Sequence, residues 1–139
     1  FADGSKVDRC IVGEGSEIYG EAYNSVIGSG VIIEEGTIVR DSIVMSGTRI
    51  GRNCRIEKGI VAENVEIGDN VIFSVGEYAE SALNPKVYAF DLVTVAENSV
   101  IPSNVQIGKN TAIVGITAAE DYPDGLLASG QAIVKAGEM

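Results

Sequence analysis

The side chains that could do chemistry in this chain are two cysteines, several carboxylates and a run of basic residues. The sequence has no histidine. No other side chain combines a neutral nitrogen ligand with a pKa near 7, so histidine-based acid–base catalysis and zinc binding are excluded. Glu34 and Glu35 are adjacent, but we expect them at a solvated corner, where two carboxylates do not form a catalytic pair. We therefore expect no catalytic residue, no metal site and no cofactor in this chain.

The basic residues form the most distinctive group against an acidic background. Five of the ten lysines and arginines lie in one short span: Arg40, Arg49, Arg52, Arg55 and Lys58. Arginine presents a fork of donors that matches phosphate oxygens, so the span is a candidate anion or effector site. The alternative is that these residues occupy solvated outer positions and pair with Glu57, Asp41 and Glu66.

The elements that would position these groups follow from a repeat between Ile27 and Phe73. Its aliphatic or aromatic anchors are spaced six, six and five residues apart, so one circuit takes 17 residues, and they are residues 27, 33, 39, 44, 50, 56, 61, 67 and 73. A helix repeats its apolar residues every three or four positions and a half-exposed strand every two, and neither fits. A second small or aliphatic residue follows each anchor by four places, as Cys54 follows Ile50 and Val65 follows Val61. The pattern predicts a hexapeptide-repeat β-helix with three flat faces.

In this all-β fold the anchors point inward and the corners face water. Gly51 and Asn53 exemplify the corner residues, since glycine and asparagine tolerate the positive φ of tight turns. The repeat predicts about five to six coils of a parallel β-helix. The hexapeptide motif implies left-handed winding, against the usual right-handed rule for parallel crossovers.

Three segments depart from the repeat. The first circuit is two residues shorter than the next ones, and we expect a shortened corner at Tyr19-Gly20. Residues 74–92 form a long loop excursion, which is too apolar for a floppy linker and either folds back on the helix or packs against a neighbouring unit; a plain surface loop is the alternative. Residues 114–139 form a cap or tail, in which Leu126 to Val134 supply a final strand or a cover for the last coil.

Composition and charge limit the partners of this 139-residue, single-domain chain. The net charge of −10 argues against nucleic acid and against an anionic membrane surface. No apolar run approaches the ~20 residues needed to span a bilayer. Cys54 falls on an inward position and Cys10 on a corner, so we expect no disulfide between them and a reducing, cytoplasmic location. The opening at Phe1 already reads as a repeat in progress, which suggests that an N-terminal partner precedes it.

Four stretches carry a resemblance to a known family. They are Asp8-Arg-Cys-Ile-Val-Gly-Glu-Gly-Ser-Glu-Ile-Tyr-Gly-Glu, Asn24-Ser-Val-Ile-Gly with Val39-Arg-Asp-Ser-Ile-Val-Met, and Arg49-Ile-Gly-Arg-Asn-Cys-Arg-Ile. With them, essentially the whole chain resembles the C-terminal β-helix of bacterial glucose-1-phosphate adenylyltransferases. The 74–92 excursion and the 120–134 tail depart from the shorter versions expected in that family.

The resemblance implies an enzyme that makes ADP-glucose and pyrophosphate from ATP and glucose 1-phosphate with Mg²⁺, for glycogen synthesis. Catalysis would belong to an N-terminal nucleotidyltransferase domain that is absent from this sequence. The β-helix would contact that domain, support a homo-oligomer (a tetramer in the family) and help bind a sugar-phosphate or nucleotide effector. Arg49, Arg52 and Arg55 match the effector role. Two alternatives are the tail of another sugar-phosphate nucleotidyltransferase and an acyltransferase of the hexapeptide-repeat class, which the missing histidine disfavours; a third is a purely structural β-helix.

Overall fold

The computed structural model describes residues 4–135. The Phe1 anchor and the last four residues of the tail predicted at 114–139 lie outside this range. The described residues form 19 short strands, β1 to β19 in chain order, which are stacked in parallel into three sheets. Up to β17, successive strands belong to sheet A, sheet B and sheet C in turn, so each pass through the three sheets is one coil. Between β17 and β18 no strand is added to sheet C.

Two sheets run the length of the stack and the third is shorter. Sheet A contains β1 (Lys6–Asp8), β4 (Glu21–Tyr23), β7 (Ile38–Arg40), β10 (Arg55–Glu57), β13 (Ile72–Val75), β16 (Gln106–Gly108) and β18 (Leu126–Leu127). Sheet B contains β2 (Ile11–Val12), β5 (Val26–Ile27), β8 (Ile43–Val44), β11 (Gly59–Val61), β14 (Val93–Val95), β17 (Thr111–Val114) and β19 (Ala132–Val134). Sheet C contains β3 (Glu17–Ile18), β6 (Ile32–Ile33), β9 (Arg49–Ile50), β12 (Glu66–Ile67) and β15 (Val100–Ile101).

This architecture confirms the predicted parallel β-helix, and its three flat sheets are consistent with left-handed winding. The predicted number of five to six coils is too low, because seven strands stack in sheet A and in sheet B. The count fell short at the C-terminal end, where β18 and β19 continue the two sheets after the hexapeptide period has ended. Two short 3₁₀ turns, Ala119–Asp121 and Pro123–Gly125, precede β18.

The core is a column of inward aliphatic side chains, as the repeat predicts. The anchors are buried, and so are the residues four places later in the six-residue steps; examples are Ile50, Cys54, Ile67 and Val71. In the five-residue steps after Val39 and Ile56 the residue four places later, Ile43 or Ile60, points outward instead. Each coil buries these side chains only against its neighbours, which is the usual energetics of a solenoid. The inward register predicted from the sequence is confirmed.

The corners use asparagine and glycine in different ways. Asn53 and Asn70 adopt positive φ, of 55° and 58°, as predicted. Gly51, which follows an anchor, is not among the positive-φ residues, so that part of the prediction is wrong. A Cβ on Gly51 would lie 2.6 Å from the carbonyl oxygen of Gly68 in the next coil. Glycine is needed there because two corner backbones approach closely.

The shortened corner lies where the sequence predicts it. The step from β3 to β4 takes four residues, from Glu17 to Glu21, whereas the equivalent step from Ile32 to Ile38 takes six. Gly20 occupies this corner, and a Cβ on it would lie 2.8 Å from the carbonyl oxygen of Glu34. The first circuit is therefore two residues shorter because one corner is shorter, while the strands remain in register.

The long excursion is also present, and it begins slightly later than predicted because Ser74 and Val75 continue β13. Residues 76–92 contain no strand and return at the same corner between sheets A and B. The N–H of Ala82 donates to the carbonyl of Gly130 at 2.7 Å, and the side-chain amide of Asn110 donates to the carbonyl of Ala79 at 2.9 Å. This half of the excursion folds back on the helix, whereas Phe90 is 84% exposed.

Candidate anion-binding site

The five basic residues predicted as an anion site surround two neighbouring coils. Arg40 and Arg55 lie on the outer face of sheet A, in β7 and β10. Lys58 lies at the corner between sheets A and B, and its N–H donates to the carbonyl of Arg40 at 3.1 Å. Arg49 lies on the outer face of sheet C, and Arg52 lies at the corner between sheets C and A. The structure therefore groups Arg40, Arg55 and Lys58 and sets Arg49 on a different sheet.

The guanidinium of Arg40 is held by an aromatic ring and not by a carboxylate. It lies over the ring of Tyr23 with 4.6 Å between the guanidinium carbon and the ring centroid. The hydroxyl of Tyr23 donates to Glu21, and this hydrogen bond raises the pKa of Tyr23. In the strand register, Arg40 is directly opposite Glu57 and Arg55 is directly opposite Ile38. Arg40 and Arg55 are thus diagonal neighbours, within reach of each other for long side chains.

Lys58 has a carboxylate partner that the sequence did not suggest. Its ammonium is 3.8 Å from Oδ2 of Asp91, the residue at which the excursion rejoins the corner. The N–H of Asp91 donates to Oδ1 of Asn110 at 2.8 Å. Both members of the ion pair remain substantially exposed to solvent, so the pair holds Lys58 only weakly.

Arg49 is engaged differently. Its Nη2 donates to Oε2 of Glu34 at 2.7 Å, an ion pair that joins neighbouring coils. Of the three carboxylates predicted as alternative partners of the basic group, Glu66 lies beside Arg49 in the strand register but is not its ion-pair partner. Glu34 was missed because it was placed at a fully solvated corner with Glu35, whereas its side chain is 20% exposed.

Arg40, Arg52 and Arg55 have no ion pair among residues 4–135. Arg52 is fixed through its backbone, since its N–H donates to Oδ1 of Asp69 at 2.9 Å, and its side chain is exposed. Three positive charges are therefore available on sheet A and on the adjoining corner. Such a surface can bind a phosphate or carboxylate by charge-assisted hydrogen bonds.

The cysteines play structural parts. The thiol of Cys54 donates to the carbonyl of Gly68 at 3.1 Å, and burial raises its pKa, which makes it a poor nucleophile. The thiol of Cys10 donates to the carbonyl of Asp8, as the hydroxyl of Ser42 donates to the carbonyl of Arg40 two coils further on in the same corner column. Both thiols are free.

Two absences are findings for the described part of the chain. Within residues 4–135, no three cysteine or carboxylate side chains converge in a way that could hold a metal ion. In the same range, no helix is long and apolar enough to cross a membrane.

A parallel β-helix with six-residue anchor spacing defines a solenoid of the hexapeptide-repeat class, and sequence comparison agrees. The family model described as "GlmU-like, C-terminal hexapeptide" matches residues 2–83. The chain belongs to this family.

Several curated proteins similar to this chain bear the same name. Glucose-1-phosphate adenylyltransferase of Lachnospira eligens is 54% identical over 138 residues, which is 99% of this chain and 33% of the relative. The enzymes of the same name from Acetivibrio thermocellus and Thermotoga maritima are 41% and 50% identical over 132 and 134 residues, or 95% and 96% of this chain. The matched region covers 31% of the length of each of these two relatives. The chain therefore spans about a third of the length of the relatives it matches.

Proposed function

We propose that this chain is the oligomerisation and regulatory β-helix of a glucose-1-phosphate adenylyltransferase, and that it is itself non-catalytic. The similarity to enzymes of that name over nearly the whole chain carries the proposal. The enzyme would convert ATP and glucose 1-phosphate to ADP-glucose and pyrophosphate, in the cytoplasm, for glycogen synthesis. Catalysis and Mg²⁺ binding would belong to the part of the relatives that this chain does not cover.

The absence of histidine from the full sequence supports a non-catalytic role, since the acyltransferase alternative depends on that residue. The partners of the β-helix would be the nucleotidyltransferase part of the same protein and further copies in a homo-oligomer. Turnover of ATP and glucose 1-phosphate by residues 1–139 alone would contradict this division of labour.

The effector surface is proposed on sheet A and its corners. Arg40, Arg55 and Lys58 form its centre, because the first two have no carboxylate partner within residues 4–135 and the third has only an exposed one. Arg52 adjoins this group. Arg49 belongs to the originally predicted set but contributes least, because Glu34 at 2.7 Å already neutralises it. The ligand would be a sugar phosphate or a nucleotide, recognised through its phosphate oxygens.

Titration of the chain with inorganic phosphate tests this surface directly, with the arginine Nε–Hε signals followed by NMR. We expect Arg40→Gln with Arg55→Gln to weaken phosphate binding at least about tenfold, since each arginine supplies charge-assisted hydrogen bonds. Arg49→Gln is the matched control and should leave the affinity within about twofold. Equal losses in both variants, or no loss in either, would contradict the assignment.

In the full-length enzyme the same variants should alter the response of turnover to a phosphorylated effector. Turnover without effector should be unchanged, because these residues take no part in the chemistry. An unchanged effector response in the double variant would remove the regulatory role from this surface.

A further inference from the structure

Sheet B differs from the other two sheets in its charge. None of its seven strands contains a charged residue. Sheet A carries charged residues in its first four strands, and sheet C carries them in β3, β9 and β12. In a chain with a net charge of −10, one uncharged face out of three is a distinct surface.

The outer side of sheet B is an aliphatic ladder at its N-terminal end. Ile11, Val26, Ile43 and Ile60 are consecutive partners in the parallel register. The first three are 71%, 43% and 42% exposed. The ladder then gives way to Thr94 and Ala112 in β14 and β17. Contiguous exposed apolar surface of this kind marks an interaction site more often than a single exposed side chain does.

The ladder begins at the first coil, where the inward side chains are less deeply buried than in the later coils. Val7, Cys10 and Val12 pack against the buried cluster but remain partly exposed in the first coil. At the other end, Tyr122 and Leu127 are buried over the last coils. Exposed apolar side chains also occur on the excursion and on the C-terminal coils, but on the first three coils of sheet B they are consecutive partners in one sheet.

The size of this face decides between two occupants. Even if all seven strands of sheet B are counted, spaced about 4.8 Å apart and each about three residues long, the face presents only roughly 350 Å² of flat sheet, and the ladder is a part of it. Each partner in a stable free complex contributes about 800 Å², so a second copy held by this face alone would bind weakly. A unit on the same polypeptide faces no such threshold, because tethering supplies an effective concentration in the millimolar range. The relatives are about three times as long as this chain, so a full-length protein of their length would include a second unit on the same polypeptide.

We propose that the aliphatic ladder of sheet B (Ile11, Val26, Ile43 and Ile60) is the docking surface for the remaining two-thirds of the full-length protein. This inference rests on the proposed function, in which that remainder is the nucleotidyltransferase unit. The docked unit presents an uncharged apolar face to the ladder and also covers the first coil. Sheet A, with its free arginines, stays open to solvent.

Thiol labelling of introduced cysteines tests the proposal in a Cys10→Ser background. Ile43→Cys places a thiol on the ladder, and Ile38→Cys places one on the outer face of sheet A in a neighbouring strand as the matched control. Labelling by a maleimide is followed at each site by peptide mass spectrometry, in the 139-residue chain and in the full-length protein. Melting temperatures confirm that each variant is folded.

We expect the position-43 thiol to react at least about tenfold more slowly in the full-length protein than in the 139-residue chain. The rates at which the position-38 thiol reacts in the 139-residue chain and in the full-length protein should agree within about twofold. Equal rates at position 43 in the two proteins would overturn the proposal. The position-43 thiol could instead react more slowly as the concentration of the 139-residue chain is raised. That result would assign the ladder to a second copy of the chain.

Turnover of ATP and glucose 1-phosphate is measured on the same full-length preparations. Protection without turnover would leave the docking surface standing and remove the proposed function. Turnover without protection at position 43 would leave the proposed function standing and would overturn the docking surface.

Discussion

The regular coils at residues 27–73 and the irregular stretch at residues 74–134 build the same stack from different sequence. In the regular coils, paired residues such as Ile38 and Arg55 are 17 positions apart. Across the excursion, Ile72 pairs with Gln106, 34 positions on, and Gln106 then pairs with Leu126, 20 positions on. The strands remain parallel and the inner residues remain buried throughout. The buried anchors and the backbone ladders define the stack, and the lengths of the corners are free to vary.

The largest expected effect tests the anchors. Ile50→Asp would bury a carboxylate at a position that is 0% exposed and would lose ~1.5–3 kcal/mol of apolar burial as well. We expect cooperative folding to be lost, as measured by circular dichroism during thermal melting. Ile43→Asp is the control, since its side chain points outward on the preceding strand of the same coil and should shift the melting temperature only slightly. A melting temperature of Ile50→Asp equal to that of the unmodified chain would refute the inward register.

The next effect tests whether a corner is free to vary. Deletion of residues 75–91 combined with Leu92→Asn would close the corner between Ser74 and Val93 at the regular length. We expect folding to persist with a free energy of unfolding lowered by about 1–3 kcal/mol. The loss corresponds to the hydrogen bonds from the excursion, including Ala82 N–H to Gly130 O at 2.7 Å.

A deletion one residue longer, of residues 75–92, is the matched control. It shifts every later residue by one position and turns the inward side chains of β14 to the outside. We expect this variant to lose the C-terminal coils in urea denaturation. If the two deletion variants were equally stable, the length of the corner would not determine the register of β14 in sheet B.

The smallest effect lies in the C-terminal cap. Burial raises the pKa of Tyr122 to about 12, and its hydroxyl is 2.8 Å from the hydroxyl of Thr117. An unfolded tyrosine has a pKa of about 10, so stability from the neutral phenol is present below pH ~10 and is lost as the pH rises toward 12. Urea denaturation should show the unmodified chain losing more stability between pH 9.5 and 11.5, about the range of that shift, than Tyr122→Phe loses. Identical pH dependence in the two chains would mean that Tyr122 does not remain buried and neutral.

The spacing of the repeat was enough to predict which residues are buried and where a corner is short. It was not enough to predict which charged side chains pair. The buried positions of Ile50 and Cys54 follow from spacing alone, and so does the short corner at Gly20. The pairing of Arg49 with Glu34 does not, because the partner of a long side chain is chosen between neighbouring coils by local geometry. The last coil was missed because β18 and β19 follow 20-residue circuits, in which no hexapeptide anchor pattern survives.

The candidate site was located more coarsely than the fold. A 17-residue circuit places Arg40 and Lys58 near one corner, and the structure agrees. The Tyr23 ring beneath Arg40 was not foreseen, since it comes from the preceding coil and its contribution depends on stacking geometry. Asp91 beside Lys58 could not be foreseen either, because the excursion hides how far along the chain the corner resumes.

The excursion leaves and rejoins the stack at a single corner, with Ser74 Oγ donating to the carbonyl oxygens of both Glu57 and Asp91. A segment attached in this way can lengthen, shorten or change composition in one genetic step without passing through a misregistered fold. Evolution at this corner can therefore change the exposed surface of the protein without changing its buried core.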